Sequence, residues 1–306
     1  MSLFRIDNDN IQNIKEEPFK LEKEIQTLCE ENLELLLNLE FVKSEFQIDR
    51  FRLDSLAYDK KTNSFIIVEY KRDKNFSVID QGYAYLSLML NNKADFILEY
   101  NENSGKTIKR NEVDWSQSRV IFIAPSFSNY QKEAINFKDL PIELWEIKRF
   151  SNKTILFSQI NTKGSTESIQ TISKSNEEIS YVSKEVKVYS EQDNIDNGSD
   201  ETIELYEKIK IYILNLGDDI NIRPTKLYIG FITKSNFCDI AILRSSIKIW
   251  INLQKGQLDD PKEVARDVSN VGHHGNGDYQ IQISDAANLE YIISLVKQSY
   301  NLSKAT

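Results

Sequence analysis

The run Ser64-Phe65-Ile66-Ile67-Val68-Glu69-Tyr70-Lys71 constrains this chain more than any other segment. It is rich in β-branched and aromatic residues, which favour a pleated strand. Side chains alternate along a strand, so Phe65, Ile67, Glu69 and Lys71 share one face while Ile66, Val68 and Tyr70 share the other. A glutamate and a lysine therefore emerge together at the end of an otherwise apolar strand. Charge in such a place is expensive unless it is paired or bound to a cation. The spacing alone carries little weight, because Asp59-Lys61, Glu146-Lys148, Glu185-Lys187 and Asp260-Lys262 repeat it. Two charges on an exposed strand are usually a solvated face. The surroundings of Glu69 and Lys71 separate them from the other four.

Two strand-like runs precede the segment, Phe41 to Ile48 and Phe51 to Tyr58, and Lys60 to Asn63 make the turn into it. Asp54 lies on the second run, a hairpin-length turn away from Glu69, and antiparallel pairing brings both carboxylates within reach of one cation. Hard oxygen ligands in an octahedral shell suit magnesium or manganese, and the backbone carbonyl of Tyr70 can supply another ligand. Asp54 and Glu69 then hold the cation, while Lys71 orients or deprotonates the attacking water and stabilises developing charge. Burial favours a neutral Lys71 and the adjacent carboxylates favour a charged one. Ser77 to Leu90 returns to helical period and places Gln81 and Tyr85, four apart, on one face. There Gln81 can donate to a phosphate or to the water, and Tyr85 can pack on Lys71 or touch the sugar-phosphate.

Arg52-Leu53-Asp54-Ser55-Leu56-Ala57, Ile67-Val68-Glu69-Tyr70-Lys71-Arg72 and Gln81-Gly82-Tyr83-Ala84-Tyr85-Leu86 together resemble the PD-(D/E)XK restriction-endonuclease-like superfamily. The nearest branches are RecB-type nuclease domains, with their Q-x-x-x-Y helix motif, and NucS-type endonucleases. The resemblance covers roughly residues 18 to 150, with Leu53 in place of the proline of the motif's name. It implies a central mixed sheet flanked by helices, an α/β (α+β) fold, with DNA as substrate. It also implies Asp54, Glu69 and Lys71 as the catalytic set, with Gln81 and Tyr85 as companions. The superfamily often adds a glutamate from the first helix. Leu21 to Leu37 reads as an amphipathic helix on which Glu22, Gln26 and Glu30 follow one turn apart, so either Glu22 joins the metal ligands or the stripe is an exposed acidic face.

A chain of 306 residues with 40% hydrophobic content is long enough for two modest domains, each with a core. Cys29 and Cys238 lie far apart without C-x-x-C spacing, which excludes a disulfide framework and a cysteine zinc site. The N-terminus lacks a signal-peptide core and no run of eighteen apolar residues occurs, so a soluble cytoplasmic protein without membrane contact is expected. The formal net charge of -9 argues mildly against nucleic-acid binding. Its distribution weakens that objection: residues 1 to 49 hold 5 basic and 12 acidic side chains, whereas residues 50 to 150 hold 16 and 14.

Residues 1–150 read as the nuclease-like domain, 151–200 as a polar linker and 201–306 as a smaller α+β domain for recognition or homodimer formation. Within the last, Gly272-His273-His274-Gly275-Asn276-Gly277-Asp278-Tyr279 reads as a turn whose polar side chains satisfy its own backbone. The segment from Leu216-Gly217-Asp218-Asp219 through this loop to Tyr300 resembles a C-terminal domain found behind nuclease-like domains. The expected function is a metal-dependent DNA endonuclease in repair or defence. The alternatives are a catalytically silent nucleic-acid-binding module and a protein-interaction adaptor.

Overall fold

The computed structural model describes residues 2–305 apart from 8–9, 49, 75, 138, 162–167 and 170–176. The chain divides into two units, Met1–Val188 and Tyr189–Thr306. Both mix helices with sheet.

The first unit begins with an antiparallel hairpin of β1 (Leu3–Asp7) and β2 (Asn10–Ile14). The periodicity of Leu21 to Leu37 predicts one helix, but α1 (Glu22–Glu30) and α2 (Leu33–Leu37) form instead. Asn32 separates them: its Nδ2 donates to the Leu28 carbonyl at 2.8 Å and its N–H to the Cys29 carbonyl at 3.1 Å, ending α1 through local bonds that compete with helix. Then come β3 (Glu40–Ile48), β4 (Phe51–Asp59), β5 (Ser64–Tyr70), α3 (Val78–Asn91), α4 (Lys93–Ser104), β6 (Arg119–Ala124), α5 (Asn129–Ala134), β7 (Ile142–Arg149), β8 (Ile155–Gln159) and α6 (Glu177–Glu185).

Strands β3 to β8 form one sheet in sequence order. The β3-β4-β5 meander is antiparallel, β5, β6 and β7 run parallel, and β8 returns antiparallel. This is the mixed sheet flanked by helices that the motif implies. Residues of β5 are buried on both faces. Phe65 and Ile67 join Leu56, Phe96 and Tyr100 in one core, while Ile66, Val68 and Tyr70 join Ile25 and Cys29 in another. Each large apolar side chain so buried contributes roughly 1.5–3 kcal/mol, which makes β5 a firm support for the residues at its end. Burial pushes the Cys29 thiol up to about 12, so it is an inert core residue.

Composition alone reads residues 151–200 as a linker, yet the described part holds β8, paired to β7, and α6, packed on α3. Part of that span lies outside the described residues. Scattered apolar residues in a polar segment are enough for an edge strand and an amphipathic helix, which need only one buried side.

The second unit contains α7 (Glu191–Ile195), α8 (Asp200–Leu214), β9 (Asn221–Pro224), β10 (Ile229–Ile232), β11 (Asn236–Ile242), β12 (Ile247–Ile251), β13 (Arg266–Asp267), β14 (Tyr279–Ile283) and α9 (Leu289–Ala305). Its antiparallel sheet has the order β13-β14-β12-β11-β10-β9, with α8 and α9 against it. The glycine-rich loop before β14 is held chiefly by the sheet rather than by itself. Fully buried Asp239 on β11 accepts the Asn276 N–H at 2.7 Å, Asn276 Nδ2 at 2.8 Å and Asn236 Nδ2 at 2.6 Å. Gly275 rests on the Trp250 ring, and a Cβ at Gly277 would overlap the Ile251 backbone carbonyl. Gly277→Ala is therefore expected to destabilise this unit by about 3 kcal/mol, at the upper end of overpacking effects because backbone cannot rotate away. Urea unfolding of the variant measures the loss.

Candidate active site

The site lies at the carboxyl ends of the parallel strands β5 and β6, the edge at which open α/β sheets generally present their ligand crevices. Strand β5 delivers Glu69 toward α3, as its alternation requires, and the Lys71 N–H continues the parallel register by donating to the Ile123 carbonyl at 2.9 Å. The β4–β5 ladder ends at Ser55↔Val68. Just beyond it, the Tyr70 N–H donates to Asp54 Oδ2 at 3.0 Å. That bond fixes the half-buried Asp54 carboxyl beside the end of β5 and leaves Oδ1 without a hydrogen-bond partner among the described residues.

Three donors converge on one oxygen of Glu69. Lys71 Nζ lies 2.6 Å from Oε1, and Gln81 Nε2 and the Tyr85 hydroxyl each donate to it at 3.0 Å. Gln81 Nε2 also donates to the Tyr85 hydroxyl at 2.8 Å, so the i,i+4 pair on α3 acts as one unit. Burial raises the Tyr85 phenol well above its ordinary value, aided by the Glu69 charge, which keeps the hydroxyl a donor. Glu69 Oε2 is left buried with no hydrogen-bond partner among the described residues. An unsatisfied buried carboxylate oxygen costs about 1–3 kcal/mol or more, and such an atom is available to a cation.

Asp54 reports the same deficit of positive charge. Burial and then the Glu69 charge push its carboxyl up to about 7; the Tyr70 N–H and Lys71 oppose the rise, and Glu22 adds to it. A carboxyl raised by a second one beside it belongs to a donor set of the kind that suits a divalent cation. No group of three or more His, Cys, Asp or Glu side chains arranged to hold a metal occurs among the described residues. Magnesium and manganese take oxygen ligands, and magnesium is commonly held by one or two carboxylates with water and substrate phosphate supplying the rest; Asp54 and Glu69 are donors of that type.

The other expected residues have distinct places. Exposed Glu22, at the start of α1, accepts the Arg72 N–H through Oε2 at 2.9 Å and thus flanks the end of β5. Tyr70 turns its ring away from Glu69 into the opposite core, where its hydroxyl lies 3.2 Å from Ser55 Oγ. Gln81 and Tyr85 spend their donors on Glu69, so they position the carboxylate instead of presenting those groups to a phosphate. Sequence reasoning passed over Gln26 and Ser55, whose contacts behind Asp54 cannot be read from period alone. Gln26 had a signal in its place on the polar stripe of α1; Ser55 had none.

A family model described as "Domain of unknown function (DUF5655)" matches residues 191–303. Over 98% of this chain and 99% of its own length, a Haemophilus influenzae protein described as "Uncharacterized protein" is 51% identical. The chain belongs to that protein's family. Among solved structures, a repair endonuclease from Pyrococcus abyssi is similar at 21% identity over 40% of this chain and 45% of its own, with a TM-score of 0.23. An EndoMS–dsDNA complex is similar at 16% identity over 47% of this chain and 65% of its own, with a TM-score of 0.27. Likenesses at these scores carry no argument about activity. No helix among the described residues is long and apolar enough to cross a membrane.

Proposed function

We propose that the first unit is a magnesium- or manganese-dependent nuclease that hydrolyses phosphodiester bonds of DNA. One observation carries this reading: Lys71, Gln81 and Tyr85 crowd onto Glu69 Oε1, so that Oε2 is bare and buried beside an Asp54 whose carboxyl that same charge pushes up.

Asp54 Oδ1 and Glu69 Oε2 would hold the cation, with Glu22 and the Tyr70 carbonyl at its margin. When bound, the cation supplies charge stabilisation at the phosphate and raises the acidity of water. Asp54 must release its proton to take part. Gln81 and Tyr85 keep Glu69 in one rotamer. Lys71 Nζ, held by Glu69 and lying 5.8 Å from the centre of the Phe76 ring, is fixed at the strand end. From there it donates to the attacking water or to the phosphate oxygen that gains charge. The second unit is assigned to substrate recognition or to a homodimer contact.

Supercoiled plasmid incubated with the full chain is expected to be nicked or linearised with Mn2+ and left intact with chelator. Glu69→Gln should lower the rate by about 10²–10³-fold, the scale for losing one preorganised electrostatic group. Cleavage by Glu69→Gln at the unmodified rate would remove the site from consideration. Metal-independent, salt-sensitive DNA binding without cleavage would establish the silent-module alternative.

A further inference from the structure

We propose that Gln26, acting with Glu30 and Ser55, is a positioning residue that sets the Asp54 carboxylate for cation binding; this rests on the metal-dependent reading of Asp54 and Glu69. Gln26 is 4% exposed and lies on the face of α1 turned toward the sheet. A buried amide must find partners or be expensive. Its Nε2 lies 3.0 Å from the Asp54 carbonyl, 2.9 Å from Glu30 Oε1 and 3.2 Å from Ser44 Oγ. The first of these bonds grips the main chain of the residue whose side chain faces the opposite side of the sheet.

A second path runs from the same helix to the other strand of the site. Ser55, fully buried, places Oγ 2.6 Å from Glu30 Oε1 and 3.2 Å from the Tyr70 hydroxyl. Ser55 Oγ is the donor in both contacts, with the short bond to Glu30 the dominant one and the Tyr70 hydroxyl the second acceptor. The result is a continuous chain: Tyr70 hydroxyl to Ser55, Ser55 to Glu30, Gln26 to Glu30, and Gln26 to the Asp54 carbonyl.

Both ends of this chain belong to one contact of the site. The Tyr70 N–H is the donor that orients Asp54 Oδ2, and Tyr70 stands between Glu69 and Lys71. Residue 54 is therefore held by its carbonyl from α1 and by its carboxyl from β5, while α1 also holds the Tyr70 ring. The β4–β5 ladder ends at Ser55↔Val68, while β3 goes on pairing with β4 through Ser44↔Ser55 and Phe46↔Leu53. On the β5 side of residue 54, the Gln26 bond to its carbonyl and the Tyr70 N–H bond to its carboxyl take over from the ladder.

The test is Mn2+ binding to the full chain, followed by electron paramagnetic resonance, with DNA cleavage kinetics measured in parallel. Gln26→Met keeps the volume and removes the donors; it is expected to weaken Mn2+ binding about tenfold to a hundredfold, as for outer partners of metal ligands. Its kcat should fall while KM for DNA stays near the unmodified value. Ser55→Ala, which cuts only the Tyr70 arm, should weaken Mn2+ binding by less, and it decides the matter if Gln26→Met does not fold. Asp54→Ala is the control. If Asp54→Ala loses Mn2+ while Gln26→Met and Ser55→Ala bind it like the unmodified protein, the positioning role is wrong and the metal site stands. If Asp54→Ala also binds like the unmodified protein, the metal site itself is wrong.

Discussion

Replacing Asp54 with asparagine is expected to cripple cleavage and at the same time stabilise the metal-free protein. The amide can still accept the Tyr70 N–H through its oxygen, so the local backbone is kept. What disappears is a charge that burial and Glu69 make unfavourable. The carboxyl is raised from 3.8 to about 7, so the folded state holds its proton more tightly than the unfolded state does. The penalty is absent below the unfolded value, grows as pH rises, and is complete above about 7. At pH 8 it amounts to about 2–4 kcal/mol after allowance for partial exposure, and Asp54→Asn removes much of it. Thermal melts of the chelated proteins should therefore show the variant ahead at pH 8 and level with the unmodified protein near pH 4. Cleavage with Mn2+ should fall by about a thousandfold. In the unmodified protein, activity should decline as pH drops through about 7, because the proton on Asp54 competes with the cation. A variant that is destabilised at pH 8, or a cleavage rate flat from pH 8 to pH 6, would contradict this account of Asp54.

Lys71→Met is expected to disable the same site with the opposite effect on stability. Lys71 is the charged partner of Glu69, whose side chain is only 5% exposed. Removing it leaves a buried carboxylate with two neutral donors on Oε1 and none on Oε2. Loss of one partner of a buried pair destabilises by about 3–5 kcal/mol, here nearer 3 because Lys71 opens partly to solvent. Lys71 also opposes the rise of the Asp54 carboxyl, so that group moves further up in the variant. Added Mn2+ should restore more stability to Lys71→Met than to the unmodified protein, since the cation replaces the missing charge. Cleavage should nevertheless stay about 10²–10³-fold down, because the donor to the attacking water or the phosphate is gone. Unchanged denaturant midpoints without metal would show that the Glu69–Lys71 bond does not bear on stability.

The two variants together separate a functional carboxylate pair from a structural one. Removing an acid is expected to stabilise and removing the lysine to destabilise, because the site carries more negative charge than its own lysine can offset.

Several parts of this arrangement were legible from residues alone. The alternation of β5 placed Glu69 on the face of Phe65 and Ile67, and the i,i+4 spacing placed Gln81 with Tyr85. The turn at Lys60–Asn63 brought β4 back alongside β5. Other parts were not. The break between α1 and α2 depends on the Asn32 amide reaching Leu28, a local bond that competes with a strong helical period. Strand β11 has Asp239 at its centre, a residue that argues against a buried strand until Asn236 and Asn276 are seen to satisfy it. The polar stretch after residue 150 hid an edge strand and a helix, each needing few apolar residues.

The sequence by itself determined the periods: which stretches pleat, which coil, and which side chains share a face, because those depend on neighbours within a few residues. The tertiary structure alone decided that Gln81, Tyr85 and Lys71 all meet one oxygen of Glu69. It alone decided that the other oxygen stays bare and that α1 grips Asp54 through Gln26. Apart from Lys71, two positions from Glu69, those outcomes join residues 12 to 28 positions apart along the chain, where separation in space is fixed by how helices pack on the sheet. A fraction of an ångström in that packing decides which atom is satisfied.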